Sequence, residues 1–216
     1  MSPRKPAVLR DGGGEQSLRE YLVTAAARLI AERGTAALTV RDIAREARVA
    51  DGVLYNHFAG KEELLALALH AHVHEVMEQA GSAPVAGQGT VEDNLRSFVE
   101  RGLGVLGRLL PAFAGLLGQP KVLTHFHRPG AHPGRDGFRD QLIGYLRAER
   151  ELGRIAAEAD PEAAATMIMG ACHELILPRL FFPDAPQVPE VLEVPPGFAD
   201  GIVTTVLHGI APARTS

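Results

Sequence analysis

The sequence predicts an all-α protein, and three observations carry that prediction. Apolar residues recur at spacings of three and four through most of the chain. Almost no stretch alternates as a half-buried strand would. Helix-start and helix-stop residues fall where they punctuate the apolar stripes. The composition agrees: of 216 residues, 46% are hydrophobic and 22% charged, enough to bury a core and too apolar for disorder. Aromatics are only 5% and Trp is absent, so that core must be built from Ala, Leu, Val and Ile.

Residues 1–16, with Gly12-Gly13-Gly14, predict a loose N-terminal arm. Leu18, Tyr21, Leu22, Ala25, Ala26, Leu29 and Ile30 make one apolar stripe and predict a helix over 17–33, which Gly34 stops. Thr39-Val40-Arg41-Asp42 has the form of a capping box and opens a short helix to about Ala47. Arg48-Val49-Ala50 interrupts it, and a second short helix covers Asp51 to Phe58. Beyond Ala59-Gly60, Lys61-Glu62-Glu63 starts a long helix reaching about Gln79. Gly81 to Gly89, with Pro84, predicts a mobile connector.

A second capping box, Thr90-Val91-Glu92-Asp93, opens a helix whose stripe (Val91, Leu95, Phe98, Val99, Leu103, Leu106) runs up to Pro111. A short helix follows around Phe113 to Leu117, and His127 to Gly134 reads as an exposed Pro/Gly loop. Periodicity resumes at Phe138 and ends near Leu152-Gly153. Asp160-Pro161-Glu162 combines an N-cap, a first-position proline and an acid, and starts a helix to about Phe182 that Pro178 would kink. A Pro-rich connector, 183–196, leads to a last helix from Phe198 to His208. There is no internal repeat and no Gly-rich phosphate loop.

Charge and cysteine usage exclude several classes. The net charge of -4 rules out a protein that is basic throughout. The distribution is uneven: residues 1–65 hold 10 of the 22 Lys and Arg but only 9 of the 26 Asp and Glu, as two parts with different partners would. A single cysteine excludes an internal disulfide and a four-cysteine zinc site, and fits a reducing cytoplasm. No apolar run reaches the roughly 18 residues of a membrane span. The basic start Met1 to Pro6 is followed by no apolar stretch, so a cytoplasmic protein is expected.

The most informative stretch is 39–61. Two helices of about seven residues are too short to be stable alone and must share a core with a third. Ile43, Ala44, Ala47, Val49, Leu54 and Phe58 supply that core, and most of the Tyr55 ring is expected in it. Asp51, Gly52, Val53, Asn56 and His57 are left facing outward, on a short supported helix of the kind that fits a major groove. Asn56 can both donate and accept toward a base edge or a phosphate. The Tyr55 hydroxyl and the Lys61 ammonium suit phosphate, as does Thr39 at a helix N-terminus. Gly52 would let a duplex approach the backbone, and the Val53 methyls suit a thymine methyl.

This segment resembles the N-terminal domain of the TetR family of transcriptional regulators. The likeness covers residues 18–65 and rests on GTAALTVRDIAREARVADGVLYNHFAGKEELL, above all Tyr55-x-His57-Phe58-x-x-Lys61 after Val49 and Gly52. The resemblance implies an N-terminal three-helix helix-turn-helix DNA-binding domain (17–63) and a C-terminal helical ligand-binding and dimerisation domain (64–216). It implies a homodimer on double-stranded DNA with a palindromic operator, and a small-molecule effector. Thr39, Tyr55, His57 and Lys61 would take phosphate-side roles, with Gly52, Val53 and Asn56 nearer the bases. Two residues depart from the pattern: Ala50 stands where the family usually has an N-capping Ser, and Gly60 replaces a better cap. Asp51 would repel phosphate or demand a cytosine amino group.

Other residues carry weaker signals. His70 and His74 have the i, i+4 spacing of metal ligands, with Glu75 and Glu78 near, but no zinc-protease motif accompanies them, and surface or interdomain histidines are expected. The same holds for His125, His127 and His132. Cys172-His173 are adjacent on a helix and point about 100° apart, so they cannot form a nucleophile–base pair. No enzyme, metal or cofactor is expected. The pocket that the resemblance implies would draw its wall from Phe98, Leu106, Phe113 and Leu117, with Phe126, Tyr145, Met169 and His173. Small residues at Ala163, Thr166, Gly170 and Ala171, and the stripe Phe198, Ile202, Val206, Ile210, suit the helix-on-helix dimer interface of the resembling family. Two functions are therefore expected in order. The first is a ligand-responsive repressor released from its operator by a small, largely apolar effector. The second is an all-α ligand-binding dimer that has lost sequence-specific DNA binding.

Overall fold

A computed structural model describes residues 15–36, 38–128, 137–181 and 194–210. Within them the chain is helical and contains no strand. The helices are α1 (Glu15–Arg33), α2 (Val40–Glu46), α3 (Asp51–His57), α4 (Lys61–Gln79), α5 (Val91–Ala114), α6 (Pro120–Phe126), α7 (Phe138–Glu151), α8 (Pro161–Phe181) and α9 (Phe198–His208), with a 3-10 turn at Gly115–Gly118. The expected arm, 1–16, lies outside the described residues up to 14, and its last two residues already belong to α1. His132 and most of the Pro-rich connector also lie outside.

The described residues form two compact units. One comprises 15–76 and 108–128, the other 77–107, 137–181 and 194–210. In the first, Leu22, Ile30, Ile43, Leu54, Leu65 and Leu69 are almost wholly buried and belong to one apolar cluster. That cluster also contains Ala112, Leu116 and Val122, so the end of α5, the 3-10 turn and α6 complete the core of the helix-turn-helix. Polar contacts reinforce the join. Thr35 is fully buried, and its hydroxyl donates to the Ala112 carbonyl at 2.8 Å. Gln119 Nε2 donates to the Thr35 carbonyl at 2.9 Å. Gly115 is required here: a Cβ at this position would lie 2.4 Å from the Ala36 nitrogen.

The sequence expectation fails at this join in two ways. α5 runs through Pro111 to Ala114, and the expected helix at 113–117 is a 3-10 turn followed by a separate seven-residue helix. A proline removes only one N–H, so a helix can outlast it where packing holds the next turn. Ala112 and Leu116 supply that packing.

In the second unit α7 packs on α8 and α8 on α9. Phe98 lies at the centre, wholly buried, with ring centroids 6.0 Å from Phe138 and 5.1 Å from Tyr145. Asp160 caps α8 as expected, Oδ1 accepting from the Glu162 and Ala163 N–H groups at 3.0 Å each. The predicted mobile connector is instead tied down. Buried Glu149 accepts from the Gly87 N–H at 3.2 Å, Asn94 Nδ2 donates to the Gln88 carbonyl at 2.7 Å, and Arg154 Nη2 reaches the Gly89 carbonyl at 2.5 Å. Arg101 donates to the Ala80 and Gly81 carbonyls at 3.1 and 2.8 Å, closing the C-terminal end of α4.

Candidate nucleic-acid interface

The interface is built from α2, a tight turn and α3. Thr39 caps α2: its hydroxyl accepts from the Asp42 N–H at 3.2 Å, and Asp42 Oδ2 accepts from the Thr39 N–H at 3.0 Å. The Thr39 hydroxyl and then its N–H, both donating to Asp42 Oδ2, hold that carboxyl below its ordinary range, with Arg45 assisting. The Thr39 hydroxyl also bonds the Asp42 carboxylate, so it is already occupied within the protein. The turn closes through the Ala47 and Val49 N–H groups on the Ile43 and Ala44 carbonyls, each at 2.9 Å. Arg48 takes a left-handed φ of 55° to make it. Ala50 precedes α3 without any side-chain cap.

Leu54 and Phe58 anchor α3 in the core, leaving Asp51, Gly52, Tyr55 and Asn56 exposed. Val53, His57 and Lys61 are half-buried at the flanks. Tyr55 is a correction: its ring is 64% exposed rather than mostly core. An exposed phenol at this position is free to meet a phosphate. Gly52 has helical backbone, and a Cβ there would touch nothing within 4 Å. Nothing inside the protein therefore requires a glycine at this position.

Two residues that motif reading left aside position this face. Arg19 of α1 donates from Nε to the His57 carbonyl at 3.4 Å, pairs with Glu63 of α4 at 2.8 Å, and lies 4.9 Å over the Phe58 ring. It thus holds the C-terminal end of α3 against the start of α4. Glu63 completes the clamp by accepting the Ala59 N–H at 2.7 Å. In the sequence Arg19 belongs to no motif and lies off the apolar stripe of Leu18, Leu22 and Leu29. Arg41 of α2 meets Asp51 of α3, Nε to Oδ2, at 3.4 Å.

The sequence profile described as bacterial regulatory proteins, tetR family, matches residues 22–68. The crystal structure of TetR family transcription regulator SCO0332 superposes with a TM-score of 0.59 at 26% identity, covering 90% of this chain and 99% of that one. Residues 22–68 form a TetR-family helix-turn-helix domain. That domain is the family's DNA-binding module. Other structures share the fold. A TetR family transcriptional regulator from Pseudomonas syringae pv. tomato gives 0.58 at 20% identity, covering 90% of this chain and 95% of that one. FadR from Bacillus subtilis in complex with stearoyl-CoA gives 0.53 at 18% identity, covering 89% and 99%.

The eight expected pocket residues are divided between the two units. Phe98 and Tyr145 are buried in the second unit, where Leu106, Met169 and His173 are half-buried. His173 Nδ1 lies 2.7 Å from the Met169 carbonyl. Phe113 and Phe126 belong to the first unit, packed edge-on at 5.3 Å, with His70 stacked on Phe126 at 4.1 Å. Leu117 is 81% exposed. A cavity of about 480 Å³ opens in the second unit between α5 and α9, lined by Arg96, Leu103, Val194 and Phe198 among others, and none of the eight lines it. Arg96 bridges Asp93 and Asp200 at its mouth, each at 2.5 Å.

Cys172 is a core residue, its thiol pushed up to about 11 by burial. His72 is buried, with Nε2 3.4 Å from the Arg108 carbonyl. Among the described residues no group of three His, Cys, Asp or Glu side chains is placed to hold a metal. No described helix is long and apolar enough to cross a membrane.

Proposed function

We propose that this regulator is a homodimeric repressor that leaves a palindromic operator when a small, largely apolar effector binds. The observation that carries the reading is the outward face of α3, where Gly52, Tyr55 and Asn56 are exposed over a helix anchored by Leu54 and Phe58. One helix-turn-helix reads too few base pairs for useful specificity, so a symmetric pair is physically expected. Exposed Met167 on α8 and Ile210 beyond α9 supply apolar surface for that pairing. We assign DNA binding to 17–63, with 1–16 as an arm, and effector binding and dimerisation to 64–216. Phosphate contacts fall to Tyr55, His57 and Lys61, and to Thr39 once its hydroxyl exchanges Asp42 for a phosphate oxygen; Gly52, Val53 and Asn56 stand nearest the bases, with Asp51 beside them at the start of α3. We assign candidate effector contacts to Phe98, Leu106, Tyr145, Met169 and His173 in the second unit and to Phe113, Leu117 and Phe126 in the first. FadR, which shares the fold, binds stearoyl-CoA, and this supplies a first probe for a long apolar effector.

The test is fluorescence anisotropy of the purified protein on duplex DNA from immediately upstream of its own gene, titrated with salt and with stearoyl-CoA. Binding should weaken steeply with salt, and Tyr55→Ala with Lys61→Ala should weaken it on all sequences and flatten the salt slope. An effector acts only through its affinity difference between two states, so about 1–3 kcal/mol of coupling is expected. Uncapped Ala50 and acidic Asp51 favour a second reading, a ligand-binding dimer that no longer binds DNA. Absence of any salt-dependent shift would establish that second reading.

A further inference from the structure

We propose that Arg41 and Asp51 form a guanine reader at the leading end of α3, with Arg41 making the base contact and Asp51 positioning it. The proposal rests on the DNA-binding reading above. Arg41 Nε lies 3.4 Å from Asp51 Oδ2, joining the second residue of α2 to the first of α3. The pair stands in solvent, with the Arg41 side chain 88% exposed and that of Asp51 52% exposed. Ion pairs so exposed contribute little to folding, which leaves stability a weak reason for the arrangement.

DNA supplies a stronger reason. The N-terminal residues of a recognition helix approach base edges. A bare carboxylate there would face phosphates and the O6, O4 and N7 acceptors of the major groove, all of them repulsive. Pairing with Arg41 neutralises that charge and gives the carboxylate a different role. Paired on the Nε side, it keeps the guanidinium at the start of α3 and leaves both Nη amines without a partner among the described residues. Two donors side by side on one rigid plane match guanine O6 and N7. A lysine at the same place keeps the charge but lacks the fork.

The full-length protein should be used to select duplexes from a randomised pool, and the selected site then measured by anisotropy. The expected site carries a guanine at one symmetry-related position in each half. Replacing it by adenine or 7-deazaguanine should cost the wild type roughly 10- to 100-fold in affinity. Arg41→Lys should lose that discrimination while retaining low-salt binding to random duplex. Asp51→Ala should lose most of it although its overall binding strengthens, and Asp51→Asn, which keeps an acceptor, should retain part. A merely structural ion pair would alter melting in these variants without moving the guanine-to-adenine ratio. The proposal is overturned if both variants select the wild-type motif with unchanged discrimination, or if the wild type binds duplexes with no guanine preference. If the wild type binds no duplex at all, the DNA-binding reading falls with it.

Discussion

At residue scale, Ala50 and Gly52 sit two positions apart and pull stability in the same direction. Ala50 leaves the first turn of α3 without a side-chain acceptor. Ala50→Ser should supply one and stabilise the protein by about 1 kcal/mol, seen as a higher denaturation midpoint at unchanged m-value. Gly52 lies in a helix with open space around it, so Gly52→Ala should also stabilise, by about 1 kcal/mol. On DNA the two should part. Ala50→Ser should leave binding intact, whereas the added methyl at position 52 should weaken operator affinity at least about tenfold by holding the backbone off the duplex. Equal DNA affinity in Gly52→Ala and wild type would remove position 52 from the interface. The motif made both residues legible from sequence alone, because cap and turn chemistry is local. Tyr55 was not, since in a seven-residue helix one apolar anchor more or less rotates the inferred buried face across its ring. Arg19 escaped for another reason: its partners, His57 and Glu63, are distant in sequence.

At the scale of elements, the helices with long apolar stripes or complete caps were readable, and α8 began at the residue its Asp160 cap announced. α6 was not readable, being seven residues with only Val122 buried. The connector at 81–89 looked loose because Gly and Pro report backbone freedom and say nothing of Glu149, Asn94 and Arg154, which bind its carbonyls and N–H groups from elsewhere. The close approach at Gly115 gives this scale its prediction. A methyl there meets backbone at Ala36, which cannot swing aside like a side chain. Gly115→Ala should cost about 2–3 kcal/mol, with hydrogen exchange accelerated first at the α1–α2 loop around Thr35. Exchange that is faster only in α7 to α9 would show the contact to be unimportant.

For the whole molecule, two buried groups set an alkaline limit. Burial pushes the Tyr145 phenol from 10.0 up to about 12, and the Cys172 thiol from 9.0 up to about 11. The folded chain therefore holds these protons more tightly than the unfolded one. Their contribution is complete below about pH 9 and is lost as pH rises through 9 to 12. Denaturant midpoints should hold to about pH 9 and then fall, by up to about 1.4 kcal/mol per pH unit for each group. Cys172→Ala should delay the onset by about one pH unit, and a midpoint already falling at pH 8 would implicate other groups. The proposed effector contacts are the least legible part of the sequence. Apolar residues at helical spacing look alike whether they fill a core, as Phe98 does, or face solvent, as Leu117 does.

The buried Thr35 hydroxyl, seated on the Ala112 carbonyl, has a practical corollary for protein engineers. A recognition module cut at residue 63 and grafted onto a foreign sensor would leave behind Ala112, Leu116 and Val122, part of its own keel. Transplants of this DNA-binding head should therefore carry residues 108–128 along as a second, non-contiguous piece, and hybrids spliced at a single point will tend to be insoluble.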